Sequence, residues 1–166
     1  MLKIVRSIQE LDFNQLKAVY AQSCQENGAL NYPHYPIFQQ QLFAEQDFLG
    51  DLQCFFQDVN AFCALWVIDG NYASALRMEP YGDGYLVEGL ETAPCYRKKG
   101  FAKLLLTAVL KELRIYGSVS VYSHIEKINA ASLAVHIACG FEKIRDCAVY
   151  ADGSVSQNAC TMRIVV

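Results

Sequence analysis

Three strand-length apolar segments in a row, separated by glycine-bearing turns, constrain this chain more than any other feature. Ala61 to Ile68, Ala73 to Glu79 and Tyr85 to Glu91 each have strand length. Asp69-Gly70-Asn71 and Gly82-Asp83-Gly84 punctuate them. Turns of that composition join antiparallel neighbours, so the segments predict a meander. The period then changes. Phe101, Leu104, Leu105, Ala108, Val109 and Leu113 recur at helical spacing, which predicts a strongly amphipathic helix over Phe101 to Leu113. A meander followed by a helix calls for a sheet with a helix packed on its face.

The flanking segments complete that picture. Leu2 to Arg6 alternates and reads as a first strand. Leu11, Leu16, Val19 and Tyr20 predict a helix over Asp12 to Cys24, and Phe38, Leu42, Phe43 and Phe48 a second over Ile37 to Leu49. Asn27-Gly28 and two prolines predict a loop over Glu26 to Pro36. Val119 to Ser123 reads as a short strand. Ala130 to Cys139 reads as a helix, with Asn129 as N-cap and Gly140 just past its end. Phe141 to Tyr150 and Cys160 to Val166 read as final strands. The expectation is one α/β (α+β) domain over residues 1–166. Its central sheet is mixed and mostly antiparallel, with about seven strands and about four helices.

Composition excludes several classes. The 166 residues are 53% hydrophobic and 19% charged, which opposes intrinsic disorder. The formal charge is −3, so a global polycation for nucleic acid is excluded. No apolar run reaches membrane-spanning length, and the first residues lack the pattern of a secretory signal. The seven cysteines are odd in number and irregularly spaced, with no C-x-x-C pair and no H-E-x-x-H. They read as small buried hydrophobes, without a metal site, in a reducing and cytoplasmic compartment.

Thr92 to Ala102 (TAPCYRKKGFA) is where chemistry concentrates. It joins a strand to the amphipathic helix, a junction that exposes backbone N–H groups with no intrahelical partner. Gly100 permits close approach, Ala102 adds little bulk, and Arg97, Lys98 and Lys99 are cationic. This describes an anion site suited to phosphate or pyrophosphate. It is neither a P-loop nor a dinucleotide fingerprint. On the last predicted helix, at about 100° per residue, Asn129, Ser132 and His136 share one polar face. Leu133 and Ile137 fall on an adjacent apolar stripe.

Arg97-x-x-Gly100-x-Ala102 after a strand, with Pro94 three residues earlier, resembles the acyl-CoA-binding motif of the GNAT acyltransferase superfamily. Asn129, Ser132, His136, Gly140 and Phe141 resemble its second motif. The order of elements is similar along essentially the whole chain. The resemblance implies an N-acetyltransferase that moves acetyl from acetyl-CoA to a primary amine by direct attack, without a covalent enzyme intermediate. It implies that the amides of Arg97, Lys98, Lys99, Gly100, Phe101 and Ala102 hold the pyrophosphate. It implies that Leu90, Glu91 and Thr92 hold the pantetheine and polarise the thioester carbonyl, with Asn129, Ser132 and His136 lining the cofactor. Gly89 suits a bulge there.

For the base that deprotonates the amine, Glu88 is favoured and Glu91 is second. Their opposite strand parity puts only one of them toward the acceptor. His136 stands where many relatives carry tyrosine and is the candidate acid, with His124 a weaker one. Asn31, Tyr32, His34 and Tyr35 are candidate acceptor-loop residues. The partner is a small-molecule or peptide amine, with no nucleic acid or membrane, on a monomer or homodimer. A non-catalytic acyl-CoA-binding or sensing module is the competing expectation.

Overall fold

Ile68 pairs with Asn71 across two residues, Asp69 and Gly70, whose φ angles are 48° and 80°. Two positive φ values in a two-residue loop match the twist of the flanking strands, so the hairpin closes where composition predicts it. The computed structural model describes residues 1–115 and 117–166. In chain order these form β1 (Leu2–Val5), α1 (Phe13–Val19), α2 (Ala21–Asn31), α3 (Ile37–Phe55), β2 (Phe62–Ile68), β3 (Asn71–Tyr81) and β4 (Gly84–Thr92). There follow α4 (Phe101–Arg114), β5 (Ser120–Glu126), α5 (Ala130–Ala138), β6 (Glu142–Arg145), β7 (Ala148–Val149), β8 (Val155–Ser156) and β9 (Ala159–Val165).

Seven strands form one sheet in the order β1-β2-β3-β4-β5-β9-β6, and β7 and β8 form a separate two-stranded ribbon. The β4–β5 pair is parallel and the other neighbours in the sheet are antiparallel. Parallel pairing follows from the connection, because α4 carries the chain back to the start of a neighbouring strand. α4 buries Leu105, Leu106, Val109 and Leu113 against Leu76, Met78, Val87 and Val121 on one face of the sheet. On the other face, Leu16 and Val19 of α1, Cys24 of α2 and Leu52 of α3 share a core with Leu65 and Ala75.

The structure departs from expectation in the first forty residues. The predicted Asp12-to-Cys24 helix is broken at Tyr20 (φ −92°, ψ 15°), so the described residues form five α-helices where about four were expected. α2 continues to Asn31 through the predicted loop. Gly28 is responsible. A Cβ there would lie 2.6 Å from the Gln40 carbonyl oxygen, so this glycine serves close helix packing rather than a turn. α3 also runs on to Phe55, beyond the expected Leu49. The predicted Phe141-to-Tyr150 strand divides, and its second part leaves the sheet as β7.

Candidate active site

A bulge in β4 organises the site. Arg77 pairs with Glu88, but Ala75 pairs with Glu91, so two residues of β4, Gly89 and Leu90, oppose Leu76. Gly89 has φ 56°, open to glycine at little cost. The predicted bulge is therefore present, and it resets the strand's parity. Glu88 and Glu91 lie opposite Arg77 and Ala75, which are themselves two residues apart, so both carboxylates project to the face covered by α1–α3. The expectation that only one faces that side is corrected; it assumed a regular strand.

The same region splays from β5. Their pairing ends at Val87 and Ser123, although β4 runs on to Thr92 and β5 to Glu126. Two carbonyls of the bulged segment are tied elsewhere. Tyr20 Oη donates to the Gly89 oxygen at 2.6 Å, and Ser74 Oγ to the Glu91 oxygen at 2.5 Å. Thr92 Oγ1 donates to Ser74 Oγ at 3.2 Å. The opening between β4 and β5 is thus edged by strand backbone at Leu90, Glu91 and Thr92.

At the end of β4 the chain turns through Pro94–Tyr96, then Lys98 (φ 59°) and Gly100 (φ 81°), into α4. Gly100 is the N-cap and supplies no side-chain cap, so the amides of Phe101 and Ala102 have no intrahelical partner. Nothing lies within 4 Å of where a Gly100 Cβ would stand, leaving room for a ligand against the backbone. Two cationic side chains turn back onto the protein. Arg97 donates to Thr92 O (3.1 Å) and Gln22 Oε1 (2.6 Å), while Lys99 donates to Cys95 O (3.0 Å). With these two side chains engaged, the groups this turn leaves open toward an anion are main-chain amides.

The α5 residues are arranged differently from the helical wheel. Asn129 Oδ1 accepts from the Ser132 amide at 3.0 Å, the expected cap. His136 is 1% exposed and stacks edgewise on Phe141, whereas Ile137 is 62% exposed. The helix is rolled so that the histidine enters the core and the isoleucine meets solvent, while Leu133 still packs on the core, so half of the expected stripe is lost. His136 Nδ1 lies 2.8 Å from the Ser132 carbonyl, so it carries the proton, and Nε2 is buried without a partner. Burial holds the imidazole's pKa below its usual value. This tautomer accepts at Nε2 and has no proton there to give. His124 is also engaged, with Nε2 3.0 Å from Val149 O and Nδ1 3.2 Å from Thr161 Oγ1.

Two cavities flank Arg77. The first, about 250 Å³, is bounded by Tyr20, Ser23, Asp47, Asp51, Arg77 and Glu91. Ser23 Oγ donates to Glu91, while burial lifts the Glu91 pKa above the ordinary glutamate value. The second, about 470 Å³, holds Glu79 and Glu88 and shares Asp51 and Arg77 with the first. There Glu88 approaches Arg77 Nη2 at 3.5 Å. Of the predicted acceptor loop, Asn31 borders the first cavity, and Tyr32 donates to Asp47 at 2.7 Å. Tyr35 packs on Phe43, and His34 is exposed and borders neither cavity. Sequence reasoning missed Tyr20, Ser23, Asp47, Asp51 and Arg77. Arg77 alone carried a signal, a cation set between the apolar Leu76 and Met78 of a strand.

Comparison with known proteins follows the same lines. The family model of the acetyltransferase (GNAT) family matches residues 22–141. No curated protein matches the chain. Among solved structures, the PaiA N-acetyltransferase from Thermoplasma acidophilum in complex with coenzyme A superposes with a TM-score of 0.66. It is 14% identical, with 98% of each chain covered. The ribosomal-protein-S18-alanine N-acetyltransferase from Escherichia coli gives 0.63 at 18% identity, covering 100% of this chain and 94% of its own. Aminoglycoside 6'-acetyltransferase type Ii gives 0.63 at 13% identity, covering 99% and 96%. At these identities the likeness is one of fold.

Proposed function

The chain belongs to the GNAT acetyltransferase family, and on that premise we propose that it transfers an acetyl group from acetyl-CoA to a primary amine. The observation that carries the reading is the parting of β4 from β5 beside an uncapped α4 N-terminus with open space over Gly100. An extended thioester with an anionic end fits that combination. Acetyl-CoA supplies the activated acyl group.

The chain's own residues do the rest. Amides of Arg97 to Ala102 hold the pyrophosphate, and Lys98 adds charge. Leu90, Glu91 and Thr92 hold the pantetheine by backbone, with the Leu90 N–H donating to the thioester carbonyl. Asn129 and Ser132 border the cofactor from the α5 cap. The amine nitrogen forms the new bond to the acyl carbon, and the C–S bond breaks with its electron pair leaving on sulfur. Glu91 takes the amine proton. It is preferred to Glu88 because it walls the cavity beside Gly89, whereas Glu88 is engaged by Arg77. His136 is given no donor role, because its free nitrogen is an acceptor. Asp47, Asp51 and Glu91 outnumber Arg77 around the first cavity, which suits a cationic amine on a small molecule or peptide.

Calorimetric titration of acetyl-CoA into the protein tests this. Gly100→Glu puts a carboxylate where the pyrophosphate would lie, and Gly100→Ala imposes the same left-handed backbone without the charge. The native protein binds, the alanine variant binds more weakly, and the glutamate variant does not bind. Equal binding by all three refutes the anion site. CoA-thiol release across a panel of primary amines then distinguishes turnover from binding alone, the sensing module being the outcome with no release.

A further inference from the structure

The kink between α1 and α2 has a consequence at the other end of the site. Tyr20 sits at that kink, where it is both the last cap of α1 and the first of α2. Its ring is 5% exposed and packs on Phe48 at 5.0 Å, so it has little freedom to move. Its hydroxyl reaches the Gly89 carbonyl at 2.6 Å. Burial raises the phenol's pKa, so the hydroxyl stays a donor through the working range of pH. Gly89 is fitted to this contact from the other side. A Cβ there would stand 3.3 Å from both Tyr20 Cε1 and Oη, and its φ of 56° disfavours any side chain.

The peptide after Gly89 is trans, so the Leu90 N–H points opposite to the Gly89 C=O. Tyr20 belongs to the α1–α3 layer, and it draws the carbonyl toward that layer. The Leu90 N–H is thereby turned away from it. Neither Gly89 nor Leu90 has a register partner on β3 or β5. We infer that Tyr20 is a positioning residue: its hydroxyl fixes the Gly89–Leu90 peptide so that the Leu90 N–H stands ready to donate to the acyl carbonyl. This rests on the proposed acetyl-CoA site. The Tyr20 hydroxyl touches no reacting atom in this scheme. It sets the direction of a main-chain donor, and preset direction is what gives such a donor its value.

The test compares acetyl-CoA with CoA, which lacks the carbonyl, on native protein, Tyr20→Phe and Tyr72→Phe. Tyr72 is a second buried tyrosine whose hydroxyl accepts from the Asp12 amide, away from the bulge, and it controls for loss of a core phenol. Affinities come from calorimetry. The carbonyl stretch of acetyl-CoA labelled with carbon-13 at the carbonyl comes from isotope-edited infrared spectra. Tyr20→Phe is expected to lose most of the red-shift that binding imposes on the stretch. It is also expected to weaken acetyl-CoA relative to CoA by about two- to tenfold, one neutral hydrogen bond's worth. Tyr72→Phe is expected to match native protein in both. An unchanged stretch in Tyr20→Phe overturns the inference. Equal weakening of both ligands with a lowered melting temperature also overturns it, since Tyr20 would then be structural only. If native protein binds neither ligand, the donor site itself fails, an outcome distinct from the other two because it appears before any substitution.

Discussion

Exchanging Glu91 for glutamine divides the two roles that the carboxylate plays. Glutamine keeps the shape and an acceptor for the Ser23 hydroxyl but cannot take a proton. If Glu91 is the base, kcat falls by about 10²–10⁴, or roughly 2.7–5.5 kcal/mol of barrier, while acetyl-CoA affinity is little changed. The pH profile changes as well. Burial raises the Glu91 pKa, so native activity drops on its acidic side at a higher pH than an ordinary glutamate would give. Glu91→Gln loses that limb.

Stability moves the opposite way. A folded-state pKa above the unfolded value means that the folded chain holds the proton more tightly. That contribution is fully present below the unfolded value of about 4.3 and is lost as pH rises through the folded value. As pH rises through the folded value the native protein places a charge on this partly buried carboxylate, and the variant does not. Glu91→Gln therefore melts at or above native temperature at pH 7, and the gap narrows as pH falls toward 4. Thiol release at saturating amine gives kcat, and melts across that pH range give the rest. A kcat within about threefold of native refutes the assignment, being far below the span of a proton-transfer role. A Glu91→Gln protein that melts lower at pH 7 refutes the burial argument. Glu88→Gln is the contrast. Its partly exposed, 3.5 Å pair with Arg77 contributes about 0–1 kcal/mol, and its kcat stays close to native.

Three further outcomes follow from the geometry. His136→Phe keeps kcat and acetyl-CoA affinity near native, because the buried ring has no proton at Nε2 to donate; a tenfold or greater fall in kcat would restore it as the acid. Gly84→Ala drives a Cβ into the Ser120 carbonyl within the β4–β5 pair and costs about 1–3 kcal/mol or more, read as a fall in melting temperature of about 3–10 °C. In native protein, exposed Cys54 and Cys95 are alkylated first, while buried Cys24, with its thiol pushed up to about 11, resists; acetyl-CoA protects Cys95, which sits in the turn before α4, and leaves Cys54 reactive.

What the sequence reveals divides along a physical line. The hairpin at Asp69-Gly70, the Asn129 cap and the glycine turn into α4 are legible because each is a local demand on backbone. A left-handed φ calls for glycine, and an unpaired amide calls for a side-chain acceptor, whatever the rest of the chain does. The GNAT family and its sheet are readable for the same reason, since the motifs are strings of such demands. Tyr20, Ser23, Asp47 and Asp51 leave no comparable trace. They meet Glu91 only because α2 lies close against α3 through Gly28 and both cover one face of the sheet. Helical spacing likewise groups residues by face without saying which face turns inward, so His136 and Ile137 exchanged places.

The choice between Glu88 and Glu91 shows how far one residue can overturn a correct rule. Alternation along a strand is sound only while each residue has one partner. Gly89 and Leu90 share a single partner position, so the three-residue step from Glu88 to Glu91 acts as a step of two. Both carboxylates then reach the same side, and parity no longer decides between them. Their surroundings do: one is drawn to Arg77, and the other accepts from Ser23 beside the bulge. In the proposed scheme, the glycine that opens the strand for the thioester also turns Glu91 toward the amine, so donor polarisation and amine deprotonation would be coupled through one backbone distortion. A substitution that straightened β4 would remove both together.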